Sequence, residues 1–172
     1  MSKREDLYTE IQSIKLFIGT WNLSGSKSYD HLDLSSWLLP FKDHFIPDIV
    51  VVGFQEIVEL SASSLLMGGG SNNYRTWNDF VLNNLKEHTK EDYVFVQGEN
   101  LVGIHIAIFT KKGINHRLTD IATTKVKLGM GGKMGNKGAA GIRFLYEDTS
   151  FCFLNCHLES GLSLSQQKKR AQ

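Results

Sequence analysis

Only two of the 172 residues are cysteine and two are proline, and the formal charges nearly cancel, leaving a net +1. Near-neutrality excludes a bulk basic field, so no nucleic-acid partner is expected and any anion must be recognised locally. No apolar run approaches the roughly 18 residues of a membrane helix. The N-terminus, MSKREDLYTE, is charged and lacks an apolar signal core, which points to a cytoplasmic protein. Cys152 and Cys156 are four positions apart. On a strand they would share a face about 13 Å apart, too far for a disulfide. Both are expected to be buried thiols of a reducing compartment, and no Cys/His cluster with zinc spacing accompanies them.

What is present is enough for a folded domain. The chain is 41% hydrophobic and 22% charged, a globular composition at a length that can bury a core. No internal repeat or linker divides it. LFIGTWN (16–22) reads as a strand. LDLSSWLLPFKDHF looks helical but is interrupted by Pro40, which breaks or kinks a helix. PDIVVVGFQEI is apolar on both alternating faces, as in a central strand covered on both sides. SASSLLMGGGSNN reads as a surface loop. In YRTWNDFVLNNLKEH, Trp77, Phe80, Val81 and Leu85 fall on one helical face. YVFVQ, VGIHIAIFT, IATTKVKL, AAGIRFLY and SFCFLNCHL then read as strands. Strand, helix, strand, helix and a β meander together predict an α/β sandwich rather than a regular doubly wound sheet.

Three polar residues stand where apolar strands run out: Asn22, Glu56 and His157. Scaffolds commonly present reactive groups at such ends. A carboxylate and an amide oxygen suit Mg²⁺, which binds few protein groups. A histidine suits proton transfer near neutral pH. Metal, oxygen ligands and histidine together could hydrolyse a phosphate ester. The stretch KLGMGGKMGNKGAAGIRF (127–144) has six glycines, three lysines and no acidic residue. Glycines let backbone N–H groups approach an anion closely, while Lys133 and Lys137 add charge and Asn136 adds hydrogen bonds. The alternative is a flexible hairpin loop with solvated lysines. The spacing is not that of a nucleotide-triphosphate loop.

The segments GTWNLSG (19–25), PDIVVVGFQEIVEL (47–60), LVGIHIAIFTKK (101–112), GMGGKMGNKGAAGIRF (129–144) and LNCHLESG (154–161) resemble, in order and separation, the inositol polyphosphate 5-phosphatase family. The resemblance runs from about Lys15 to the C-terminus, leaving residues 1–14 as a tail. It implies a deoxyribonuclease-I-like α/β/β/α sandwich, of which residues 15–172 would be the N-terminal half. It also implies Mg²⁺-dependent removal of the 5-phosphate from a phosphoinositide head group or a soluble inositol polyphosphate, with contact at the periphery of a membrane for a lipid substrate. Residue by residue, Glu56 and Asn22 resemble the metal site. His157 resembles the histidine at the scissile phosphate, with Asn155 beside it as a second catalytic candidate. Gly135–Gly138 resembles the substrate loop, with Lys137, Asn136 and Lys133 as substrate contacts.

His105 stands where the family has an apolar strand residue, and a core histidine is expected there. The family's G-D-x-N, W-C-D-R and S-D-H motifs are absent and would follow Gln172, and the chain stops inside SLSQQKKRAQ, which resembles the family's helix after the NCHL strand. Because catalytic groups act as a unit, the alternative function is a truncated, catalytically inactive phosphoinositide-binding fragment. A nuclease or sphingomyelinase of the same fold is disfavoured by GNKGAAGIRF.

Overall fold

The computed structural model describes residues 9–25, 32–41, 43–57, 71–129 and 134–158, with backbone alone at 71–72, 129 and 134–136. Its strands are β1 (Leu16–Asn22), β2 (Ile49–Gln55), β3 (Tyr93–Leu101), β4 (Ile104–Lys111), β5 (Leu118–Gly129), β6 (Met134–Tyr146) and β7 (Thr149–His157). Its helices are α1 (Ser35–Leu38) and α2 (Ser71–Thr89), and a 3-10 turn covers Lys112–Arg117. The strands form a four-stranded sheet in the order β1-β2-β4-β3 and a three-stranded sheet in the order β5-β6-β7.

Strand β2 organises the first sheet. It runs parallel to β1 and antiparallel to β4, and all seven of its residues are buried. Its apolar character on both faces has two causes. Val50, Val52 and Phe54 pack under α2 with Trp77, Val81 and Leu85. Ile49 and Val51 pack between the sheets with Ile106, Ile108, Ile142 and Phe144. Each such side chain contributes roughly 1.5–3 kcal/mol by leaving water. Helix α2 ends at Lys90, which adopts a positive φ of 62° and donates its N–H to Lys86 O at 3.1 Å, a left-handed helix stop.

Several expectations shift. The helical pattern before Pro40 yields only four residues, because Leu39 precedes the proline and leaves the helical region at φ −133°. Helix α2 takes in the last three residues of the expected surface loop, starting at Ser71, while 58–70 lies outside the described residues. Gly135–Gly138 is not a loop: it forms the start of β6. Cys152 and Cys156 are exposed rather than buried. On β7 the odd-numbered residues Phe151 and Phe153 turn toward the other sheet, which sends the even-numbered ones to the outer face. No described helix covers that face.

Candidate active site

The parallel pairing of β1 with β2 sets Asn22 opposite Gln55, so Asn22 and Glu56 emerge side by side at the same end of the sheet. Asn22 Oδ1 accepts the Ser24 N–H at 2.9 Å, closing a tight turn in which Ser24 and Gly25 have φ of 51° and 71°. Glu56 has φ of 51°, a left-handed conformation that costs a side-chain-bearing residue about 1–2 kcal/mol. Backbone hydrogen bonds hold it there from both sides. Gly25 N–H donates to Glu56 O at 2.8 Å, and Ile57 N–H donates to Gly103 O at 3.1 Å.

The second sheet brings the cationic part. In the β6–β7 register Gly138 faces His157, which puts Lys137 next to the imidazole. Lys137 Nζ lies 2.6 Å from His157 Nε2, and His157 Nε2 lies 3.5 Å from Glu56 Oε1. An ammonium can only donate, so Nε2 accepts and the ring proton sits on Nδ1. Burial, then the Lys137 charge, holds the His157 imidazole below its usual pKa against the upward pull of Glu56. Gly138 is needed for this register. Its φ is 150°, and a Cβ there would fall 2.0 Å from Val126 O.

Asn155 has a different place from the one expected of a catalytic group. It is buried, and its side chain crosses between the sheets. Nδ2 donates to Phe54 O and His105 O, each at 2.9 Å, and Oδ1 accepts a short hydrogen bond from Gln55 Nε2. Both Nδ2 hydrogens are spent on the protein, so it ties β2 and β4 to β7. Gly53 makes the crossing possible, since a Cβ there would meet the Asn155 side chain at 2.8 Å. Gln55 continues the chain to Thr20 Oγ1 at 2.8 Å. Thr20 and Gln55 were not singled out from sequence; the signal was the Gln immediately before Glu56.

Three of the expected residues therefore converge, Glu56, His157 and Lys137, with Asn22 at the end of the neighbouring strand. Lys133 lies outside the described residues, as does the side chain of Asn136. His105 is a core histidine, 1% exposed, with Nδ1 and Nε2 paired to Asn100 and Asn78. Among the described residues no group of three or more His, Cys, Asp and Glu side chains could hold a metal. One carboxylate beside one amide fits a hard divalent cation that keeps most of its coordination sphere for water and phosphate oxygens. No described helix is long and apolar enough to cross a membrane.

The family model described as Endonuclease/Exonuclease/phosphatase family 2 matches residues 19–172. Inositol-1,4,5-trisphosphate 5-phosphatase 1 of Schizosaccharomyces pombe is 37% identical over 94% of this chain and 15% of its own length. Human synaptojanin-2 is 35% identical over 99% of this chain and 12% of its own. A solved inositol polyphosphate 5-phosphatase domain of a synaptojanin, in complex with inositol (1,4)-bisphosphate and calcium, superposes with a TM-score of 0.82 at 33% identity. That match covers 98% of this chain and 47% of the solved domain. The chain thus spans less than a sixth of these curated relatives and about half of the solved domain. With an α/β sandwich that follows the synaptojanin domain and a matching family model over most of its length, the chain belongs to Endonuclease/Exonuclease/phosphatase family 2, and its curated relatives are inositol polyphosphate 5-phosphatases and synaptojanins.

Proposed function

We propose that the chain supplies the metal- and phosphate-facing residues of a Mg²⁺-dependent phosphatase that removes the 5-phosphate from phosphoinositides or soluble inositol polyphosphates. The observation that carries this reading is the convergence of Glu56, His157 and Lys137 from two different sheets. Glu56 and Asn22 would hold the cation, which when bound neutralises charge on the phosphoryl oxygens. Lys137 presents positive charge to the phosphate and keeps His157 Nε2 proton-free until substrate arrives. His157 then turns a ring nitrogen to the phosphoryl group, oriented by its place at the end of β7. The strapped backbone at Glu56 fixes the carboxylate before any ligand binds, which lowers the reorganisation that binding requires.

A second reading keeps the convergence of Glu56, His157 and Lys137 as a binding site only. On that reading it binds inositol phosphates without turning them over. Phosphate release from inositol 1,4,5-trisphosphate with Mg²⁺, measured beside calorimetric binding of the same compound, separates the two. Release that falls at least 100-fold in Glu56→Ala supports the enzyme. Saturable binding without release supports the binding-only reading. Release unchanged in Glu56→Ala would remove the carboxylate from the site.

A further inference from the structure

The left-handed turn at Glu56 is braced from a third direction, by α2. Asn73, the third residue of that helix, donates from Nδ2 to Ile57 O at 3.2 Å. A carbonyl only accepts, so the amide nitrogen of Asn73 is fixed in this role. The next residue, Tyr74, is buried, and its hydroxyl is hydrogen-bonded by the backbone of Gly103. Gly103 is also the residue whose carbonyl accepts the Ile57 N–H at 3.1 Å. Both polar groups of the Ile57 backbone therefore trace back to one turn of helix. The carbonyl is held by Asn73 directly, and the N–H is held through Gly103 and Tyr74.

The helix end that does this is itself pinned to the sheet. Asn78 lies four residues after Tyr74, on the same helical face, and its Oδ1 is 2.8 Å from His105 Nε2. The other ring nitrogen of His105 pairs with Asn100 on β3. The His105 ring packs 5.1 Å from the Tyr74 ring and 6.5 Å from the Phe54 ring, centroid to centroid. A buried polar group left without partners is costly, so this satisfied set of contacts fixes where α2 begins along the sheet. Tyr74 and His105 are both buried, and their influence on the strand ends runs through the Glu56–Ile57 backbone.

We infer that Asn73 and Tyr74 are positioning residues for the Glu56 carboxylate: the start of α2 holds the Glu56–Ile57 backbone in its left-handed turn, so the carboxylate is set for a divalent cation before the cation arrives. The inference rests on the reading of Glu56 as a cation ligand made above. Left-handed backbone is unfavourable for a residue with a side chain and persists only while its surroundings hold it. A carboxylate that must be reordered on binding gives a weaker site.

Amide hydrogen exchange and Mn²⁺ titration of the whole chain, both followed by NMR, test this. Asn73→Asp removes the donor and keeps the size. An acidic side chain in the first turn suits the helix dipole, so α2 stays folded and the circular dichroism spectrum is unchanged. The Gly25 and Ile57 amides should then exchange at least tenfold faster, while those of Val51 and Val52 in the middle of β2 do not change. Mn²⁺, detected by broadening of the Glu56 amide, should bind at least fivefold more weakly. Tyr74→Phe, which keeps the ring and loses the hydroxyl, should also speed exchange at Ile57. Asn73→Gln keeps an amide donor and should recover most of the Mn²⁺ affinity, a rescue that a merely structural role would not give. Two results would overturn the inference: Gly25 and Ile57 amides as protected in Asn73→Asp as in the wild type, or amides loosened with Mn²⁺ affinity unchanged. A wild-type chain whose Glu56 amide is not broadened by Mn²⁺ would contradict the cation assignment of Glu56 instead, and the exchange rates alone then decide whether α2 braces the turn.

Discussion

Among the described residues, the β3–β5 side of the sandwich carries an ion pair across its two sheets, and the β1–β7 side leaves Ile18 uncovered. At the first, Lys125 Nζ reaches Glu99 Oε1 at 2.7 Å and Asn100 O at 3.2 Å, bridging the two sheets. Burial alone would raise the Glu99 carboxyl, but hydrogen bonds from Lys125, Thr123 and the Asn100 N–H outweigh it and hold the pKa below its usual value. At the second, Ile18 stands 62% exposed, yet this is the end where Asn22, Glu56 and His157 emerge. The inter-sheet layer is therefore bridged by an ion pair at one end and left uncovered over Ile18 at the other. The difference lies in what each side leaves to solvent: a half-exposed ion pair at one, an uncovered isoleucine on the strand that carries Asn22 at the other.

That contrast is sharpened most by truncating the same layer at two depths. Phe144 is fully buried and stacks on Phe151 and Phe153, so Phe144→Ala should cost about 3–5 kcal/mol in urea unfolding. Ile18→Ala, in the same layer, should cost less than about 0.5 kcal/mol in the chain alone. Equal costs would mean that Ile18 is covered in solution. Next comes Asn155→Ala, which removes the donor to Phe54 O and His105 O and one of the two acceptors of the Gln55 amide. The expected loss is about 3 kcal/mol, and Asn155→Asp should not restore it, since a carboxylate cannot donate to two carbonyls.

Acid should act on the buried first sheet before it acts on the exposed edge. Burial pushes the His105 pKa down from 6.5 to about 4, against a smaller upward pull from Glu99. The unfolded chain therefore takes up this proton at a higher pH than the folded one. Stability should be independent of His105 above about pH 6.5 and fall as pH drops toward 4, by roughly 3 kcal/mol in all. Urea midpoints between pH 7 and 4 should show this slope, and His105→Gln should flatten it. The smallest effect belongs to Lys125→Ala. Its ion pair with Glu99 is half exposed on the lysine side, so the loss should stay below about 1 kcal/mol and shrink further in high salt.

Much of this was readable from sequence because it is local. The two-faced apolar run Ile49–Phe54 announced a covered central strand, and the spacing of Trp77, Val81 and Leu85 announced the helix above it. His105 was recognisable as a core residue because it stands where the resembling family has an apolar strand residue, and the strand is buried around it. Other features depend on partners far away in the chain. The Gln55–Asn155 hydrogen bond spans 100 residues, and no periodicity within either strand reveals it. The cysteines were misplaced for a related reason. FCFLNC is apolar on both faces, and only the outer layer of the second sheet decides whether the even-numbered side are buried. Lys137 and His157 were both named from motif, but their contact follows from the Gly138–His157 register, which the glycine's φ and not its motif enforces.

The reading of the strand ends as an inositol-phosphate site stands on Glu56 and Lys137 acting on one ligand. Calorimetric titration of inositol 1,4,5-trisphosphate into the folded chain, with and without Mg²⁺, addresses that point. Saturable binding that requires Mg²⁺ and weakens at least tenfold in both Glu56→Ala and Lys137→Ala is the predicted result. Binding of equal strength in the wild type and both variants would contradict it.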